Sequence, residues 1–252
     1  MRDMTPRDRT AWLQGGEARC VQTPPDVGRT WRLVLLGPPG AGKGTQAGLL
    51  TSALGACPLS TGDVFRFAKD HPKTSGPALV AAQKFMARGE LVPDSVVLDL
   101  VRERSWCLHC RGGFMLDGFP RTLPQAEALD AVLQAEKIRL DAVIYYDVPQ
   151  QLLLNRLTGR RTCARCQSVF HIQTRPSRID GMCDRCGGVL EQRADDRPEA
   201  ISVRLEAYKK ATLPLLEYYR GKGLLMSIRA EGEPADILAR TLDELVTHAP
   251  VA

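Results

Sequence analysis

The sequence predicts an α/β fold: a parallel five-stranded sheet with helices on both faces, interrupted by two insertions. Three observations carry this reading. Short apolar runs such as "WRLVLLG" (31–37) and "DAVIYYDV" (141–148) recur along the chain with the density of strands buried on both faces. Each is followed by a stretch with helical spacing, as parallel strands joined by crossovers require. Two segments, 61–92 and 159–196, depart from that alternation.

The opening "MRDMTPRDRTAWLQGGEARCVQTPPDVGRT" has no apolar core for a secretory signal. It carries Asp3, Asp8, Glu17 and Asp26, which a transit peptide avoids. Rich in Pro, Gly and charge, residues 1–30 read as a disordered arm or an over-called start site. Residues 1–27 show no core pattern, so a chain starting at Gly28 is expected to keep its stability and activity. The first strand ends in glycine and leads into the helical "KGTQAGLLTSAL", and the shorter run "ACPLS" (56–60) supplies a second strand. Segment 61–92 is mostly helical and ends at "GELVPD". The strand "FMLD" (114–117) precedes "TLPQAEALDAVLQAEK", "DAVIYYDV" precedes "PQQLLLNRL", and "LLMSI" (224–228) precedes "PADILARTLDELV". In "RPEAISVRLEAYKKATLPLLEYYRG", Asp196 is placed to cap a helix, Pro198 lies in its first turn, and Pro214 is expected to kink it. The core is thus drawn from 31–60, 93–158 and 197–248. The insertions 61–92 and 159–196 project from strand ends, where open sheets carry ligands.

Composition narrows the class. With 44% hydrophobic and 25% charged residues the chain is globular, and no apolar run approaches the ~20 residues of a membrane span. A net charge of +5 suits an anionic partner, which fits a phosphate-handling enzyme and a nucleic-acid binder equally. Eight cysteines without a secretory signal point to the cytoplasm, where thiols bind metal or stay free.

"GPPGAGKGT" (37–45) lies between a strand and a helix, the context of a phosphate loop. Gly37, Gly40, Gly42 and Gly44 let the backbone curl its N–H groups toward phosphate oxygens, and the helix N-terminus adds partial positive charge. Lys43 is spaced to reach the outer phosphates. Gly44 occupies the usual Ser/Thr position, so the hydroxyl comes one residue later, at Thr45. Cys163, Cys166, Cys183 and Cys186 form C-x2-C-x16-C-x2-C, the spacing of a closed four-thiolate structural site for zinc, with iron as the other metal such a site accepts. "CLHC" (107–110) has no partner knuckle, since Cys20 and Cys57 stand alone in sequence; it reads as unligated.

These stretches together carry a resemblance. "GPPGAGKGTQ", "STGDVFR" (60–66), "DGFPRTLPQ" (117–125), "RLTGRR" (156–161) and "RADDRPEAISVRL" (193–205) resemble the signature set of adenylate kinases, in family order over about residues 32–247. The four-cysteine insert resembles the zinc-bearing lid of one branch of that family. The resemblance implies a P-loop NTPase-type sheet with a small helical NMP-binding insert and a zinc lid. It also implies the reaction MgATP + AMP ⇌ 2 ADP, in the service of adenine nucleotide homeostasis.

The resemblance also assigns residues. Lys43 would bridge the transferred phosphoryl group; Gly40, Ala41, Gly42, Gly44 and Thr45 would complete the ATP cradle. Arg66 and Arg121 would hold the AMP phosphate, which suits a guanidinium fork. Arg156, Arg160, Arg193 and Arg204 would close over the phosphates from the lid side, Arg160 toward ATP, and Arg193 and Arg204 also toward AMP. Thr61 and Gln125 match adenine-facing positions, Glu90, Leu91 and Val92 line that pocket, and Gly118, Phe119 and Pro120 approach the substrate. Val169 and Phe170 are placed against the ATP adenine, and Glu233 meets ATP through its backbone. Asp117 would organise Mg2+ through water, or cap a turn. Asp195 and Asp196 would hold lid arginines, or cap the next helix.

Two departures stand out. "FAKDHPKTSGP" (67–77) is longer than the family pattern and carries Pro72, and the arm has no family counterpart. The runner-up reading is a kinase for UMP or CMP. A zinc-knuckle nucleic-acid binder would require stacking aromatics among the knuckles, where only Phe170 and His171 occur. The expectation is therefore a monomer whose partners are ATP, AMP and ADP, with no nucleic acid or membrane.

Overall fold

The structure, a computed structural model, describes residues 9–15, 18, 20, 29–71 and 77–248. Pro72, which the sequence singles out, lies outside them. In chain order the elements begin with helix α1 (Thr10–Gln14), strand β1 (Trp31–Leu36), α2 (Lys43–Leu54), β2 (Cys57–Ser60), α3 (Thr61–Asp70), α4 (Pro77–Ala87) and α5 (Asp94–Glu103). There follow β3 (Gly113–Asp117), α6 (Leu123–Ala135), β4 (Ala142–Asp147) and α7 (Gln150–Thr158). Three short strands, β5 (Arg160–Cys163), β6 (Val169–His171) and β7 (Leu190–Glu191), precede α8 (Pro198–Ala207), α9 (Leu215–Gly221), β8 (Leu225–Arg229) and α10 (Pro234–His248).

Five strands form one parallel sheet in the order β2-β3-β1-β4-β8. Side-chain alternation divides its core in two. Val34, Leu36, Phe114, Leu116 and Val143 face a cluster with α5, α6 and α9, while Leu33, Leu35, Met115, Ile144 and Ile228 face α2, α7 and α10. Both faces being covered, the strands read as unbroken apolar runs. The chain leaves the central β1 toward one edge and then returns to the other side, so β1 ends in the crevice where such sheets bind ligands. The antiparallel trio β6-β5-β7 is a separate small sheet within 159–196.

Three expectations are corrected. Part of the arm is ordered: α1 packs on α3, with Trp12 only 1% exposed and its Nε1 donating to the Ser60 carbonyl at 3.0 Å. A five-residue helix does not persist alone. Here the buried Arg104 donates to the carbonyls of Trp12 (2.8 Å) and Gln14 (3.2 Å) at its C-terminal end, satisfying groups that a helix end leaves open. Asp196 does not cap α8: it stands one residue before the cap position, held by Arg197 without a side-chain cap bond, and its own carboxylate is taken by two arginines. The break near Pro214 begins earlier than the proline itself. Residues Tyr208–Thr212 form a π-turn closed by Leu213 N–H to Tyr208 O at 2.9 Å, a widening that accommodates the proline's missing donor.

Candidate functional site

The site is built where β1, β2 and β3 end. The loop after β1 needs its glycines for distinct reasons. At Gly37 a Cβ would lie 2.9 Å from the Tyr146 carbonyl, while Gly42 has open space but a φ of 88°, which caps α2 in the left-handed region. Lys43 opens α2 and folds back on the loop, donating to the carbonyls of Gly37 (2.7 Å) and Pro38 (3.1 Å). Burial pushes its pKa down to about 8; Asp117 opposes the shift, and Arg121, Arg204 and Arg160 reinforce it. On the far side of α2, Gln46 donates to the Pro234 carbonyl at 2.9 Å and ties the helix to the loop bearing Glu233. Glu233 itself is exposed, and its carbonyl accepts from Asp236 and Ile237.

Asp117 ends β3 facing the first turn of α2, with Oδ2 4.0 Å from where a Gly44 Cβ would stand. Burial raises its pKa and Lys43 lowers it. A hard cation takes such an oxygen, directly or through water. Beyond it, Gly118 has φ 80°, and a Cβ there would come within 2.9 Å of the Arg121 guanidinium and 3.1 Å of the Thr61 hydroxyl. Thr61 donates to the Gly118 carbonyl at 3.0 Å, and so does Arg121 Nε at 2.7 Å. Gln125 is buried and already engaged: its Oε1 accepts from Arg121 N–H (2.7 Å) and its Nε2 donates to Asp94 (2.6 Å). Its Nε2 carries a second N–H beyond the one given to Asp94.

Lid-side arginines meet this group through acids. Arg160 forks onto Asp196, with Nε–Oδ2 2.7 Å and Nη2–Oδ1 2.5 Å, and Asp196 is 0% exposed. Arg204 joins the same carboxylate at 2.9 Å and Asp195 at 3.1 Å. Arg193 donates to the Thr162 hydroxyl at 2.9 Å; burial, then Arg66 and Arg160, push its pKa down to about 9. Arg66 pairs with Asp63 at 2.5 Å, and its buried Nε has no hydrogen-bond partner. Arg156 donates to the Ala230 carbonyl at 3.0 Å and stands at the margin. Lys43, Arg66, Arg121, Arg160, Arg193 and Arg204 thus share one field with Asp63, Asp117, Asp195 and Asp196, leaving cations in excess.

Lys43, Gly89, Leu91, Gly118, Pro120, Arg121 and Arg204 line a cavity of about 80 Å³. Small-molecule sites run to roughly 300 Å³ or more, so this cavity is smaller than the usual ligand site. Gly89 packs so closely on α8 that a Cβ would sit 2.4 Å from the Ala200 carbonyl. Beside it, Glu90 turns outward to pair with Arg88 at 2.6 Å, while Val92 and Phe119 are buried.

The cysteine insert has its own core of Cys163, Cys183 and Phe170, with Cys166, Cys186 and Leu190 against it. The Phe170 ring serves this small core rather than projecting from it, whereas Val169 is half-exposed. The four sulfurs lie within 4.8 Å of one another, at 3.4 Å for Cys163–Cys186 and 3.6 Å for Cys166–Cys183. Thiolates on a tetrahedral zinc, at about 2.3 Å each, stand about 3.8 Å apart, so the residues fit the metal. Gly188 is part of that fit: a Cβ there would lie 2.9 Å from Cys163 Sγ. No other group of three or more His, Cys, Asp or Glu ligands converges in this way among the described residues. Cys57, isolated in sequence, does meet Cys110, whose hydrogen bond, with burial, raises the Cys57 pKa well above the usual thiol range.

Sequence reasoning missed three residues that the site uses. Asp63 and Asp94 hold Arg66 and Gln125, and the i,i+3 spacing of Asp63 and Arg66 was a readable signal. Trp12 is the third, an aromatic alone in a polar arm.

A family model described as adenylate kinase matches residues 35–224. The chain is 50% identical over 209 residues to the adenylate kinase of Moorella thermoacetica, covering 82% of this chain and 95% of that one. It is 48% identical over 197 residues to that of Carboxydothermus hydrogenoformans (78% and 91%) and 44% identical over 214 residues to that of Caldicellulosiruptor saccharolyticus (85% and 98%). No helix among the described residues is long and apolar enough to cross a membrane.

Proposed function

This chain belongs to the adenylate kinase family and is an ATP:AMP phosphotransferase, and we propose how its own residues carry out MgATP + AMP ⇌ 2 ADP. The observation that carries the reading is the convergence of Lys43 and five arginines on the crevice at the end of β1. Phosphoryl transfer asks little covalent chemistry of the protein; it asks for alignment, neutralised charge and exclusion of water. An AMP phosphate oxygen, already anionic, forms the new bond to the γ-phosphorus of ATP. The bond from that phosphorus to the bridging oxygen breaks, and its electron pair leaves with ADP. No general base is required.

Lys43 leaves its loop carbonyls to meet the transferred group, and Gly40–Thr45 present backbone N–H groups to ATP. Arg66 and Arg121 hold the AMP phosphate. Arg160, Arg193 and Arg204 gather the transferring oxygens as the lid closes, with Asp195 and Asp196 keeping their forks in register. Arg156 completes the lid-side set from its margin. Mg2+ bound with ATP supplies charge neutralisation between the phosphates, and the Asp117 carboxylate is the group that would hold its water. Thr61 and the free Gln125 N–H face the AMP base.

The lid cysteines hold a structural Zn2+. The reading includes a monomer, and the cytoplasm as its compartment, where thiols stay reduced and free to bind metal. A coupled assay of AMP, CMP, UMP and GMP with ATP tests the substrate choice. AMP is expected to be strongly preferred, and equal turnover of CMP or UMP would overturn the roles of Thr61 and Gln125.

A further inference from the structure

The helix α1 lies outside the family match at 35–224, yet it touches the segment that carries the AMP-side residues. Trp12 Nε1 donates to the carbonyl of Ser60, the residue that caps α3, whose side chain accepts from Asp63 N–H. Three residues into α3, the Asp63 carboxylate takes a guanidinium on each oxygen. Arg9 Nη1 meets Oδ2 at 2.6 Å and Arg66 Nη2 meets Oδ1 at 2.5 Å. The arm therefore grips α3 at Ser60 and at Asp63, on either side of Thr61. Its far end is fixed by the Arg104 guanidinium, itself 1% exposed.

We propose that α1 is a positioning element for the AMP site, with Arg9 holding Asp63 so that Arg66 keeps both its aim and its charge for the AMP phosphate. The inference rests on the reading of Arg66 as an AMP ligand. The electrostatic reason is elementary. Asp63 and Arg66 alone form a neutral pair, which has little attraction for a phosphate dianion. Arg9 restores a net positive charge to the trio, so one Asp63 oxygen is occupied and Arg66 is not drawn into a two-pronged fork on it. Burial disfavours the charged Asp63, yet Arg66 and then Arg9 hold its carboxyl well below the usual range, as a carboxylate shared between two cations should be. The Arg66 Nε is buried without a hydrogen-bond partner, so this guanidinium is not saturated by the protein.

The test is steady-state kinetics of the full-length enzyme and of Arg9→Ala, varying AMP and ATP separately, with melting curves to verify folding. KM for AMP is expected to rise about fivefold, the size of one partly buried ion pair, while KM for ATP and kcat change little. Arg9→Lys, which keeps the charge without the fork, is expected to fall between the two and carries the test if the alanine variant does not fold. Asp63→Asn supplies the coupling readout: in that background Arg9 no longer has a carboxylate to hold, so Arg9→Ala is expected to raise KM for AMP by clearly less than it does in the wild type, and an equal rise in both backgrounds overturns the positioning role. An unchanged KM for AMP in folded Arg9→Ala, or an equal rise for ATP, overturns the positioning role. Failure of the wild type to prefer AMP over CMP and UMP would instead overturn the AMP reading itself, so the two failures are distinguishable.

Discussion

Lys43→Met is expected to make the nucleotide-free protein no less stable while nearly abolishing catalysis. Lys43 is partly buried among Arg121, Arg160 and Arg204, and its pKa falls from 10.5 to about 8. That drop corresponds to a penalty of roughly 3 kcal/mol on the charged form in the folded state. Residual solvent screening reduces the figure, and so does loss of the two bonds to the Gly37 and Pro38 carbonyls, each of which contributes about 1 kcal/mol. The expected net gain is up to about 1 kcal/mol, a rise of about 2–4 °C in melting temperature for a domain of this size. The sign with pH follows. Because the folded pKa is below the unfolded one, the wild type carries the full penalty below about 8 and sheds it as pH rises toward 10.5, so the gap between mutant and wild type should close over that window. Turnover moves oppositely: a cation on the transferring group is worth several kcal/mol in a water-excluded site, hence a loss of several orders of magnitude. Thermal melts at pH 7 and 10 with a coupled ADP assay measure both. Near-normal turnover in the folded mutant, or a melting temperature several degrees lower, would refute the reasoning.

Other outcomes follow from the same geometry. Purified protein should contain one zinc per chain by elemental analysis. Cys163→Ser should lose that metal and destabilise the lid, whose Ile172, Ile179, Met182 and Val189 are all exposed and cannot supply a core. Much of the turnover should survive wherever that mutant remains folded. A chain starting at Thr30, contrary to what the arm's composition suggests, should melt several degrees lower. It exposes the apolar surface under Trp12 and takes two carbonyl partners from the buried Arg104, on the order of 2 kcal/mol or more. An unchanged melting curve would show that α1 contributes nothing to the fold.

The sequence by itself determined whatever depends on neighbours along the chain. The five strands are legible because each is a local apolar run, the phosphate loop because its glycines and lysine fall within nine residues, and the knuckles because two thiolates of one site are three residues apart. Each expresses a short-range constraint of backbone curvature or ligand spacing. Tertiary structure decided the pairings between distant segments. Asp196 stands one residue before the helix cap, and only packing shows that Arg160, 36 residues away, claims its carboxylate. The buried Asp196 carboxylate costs more to leave unpaired than a helix end, which water can satisfy. The arm was misread for the same reason. Five residues cannot stabilise a helix by propensity alone, so α1 exists only because Arg104 and Ser60, 92 and 48 positions from Trp12, accept it on the folded surface.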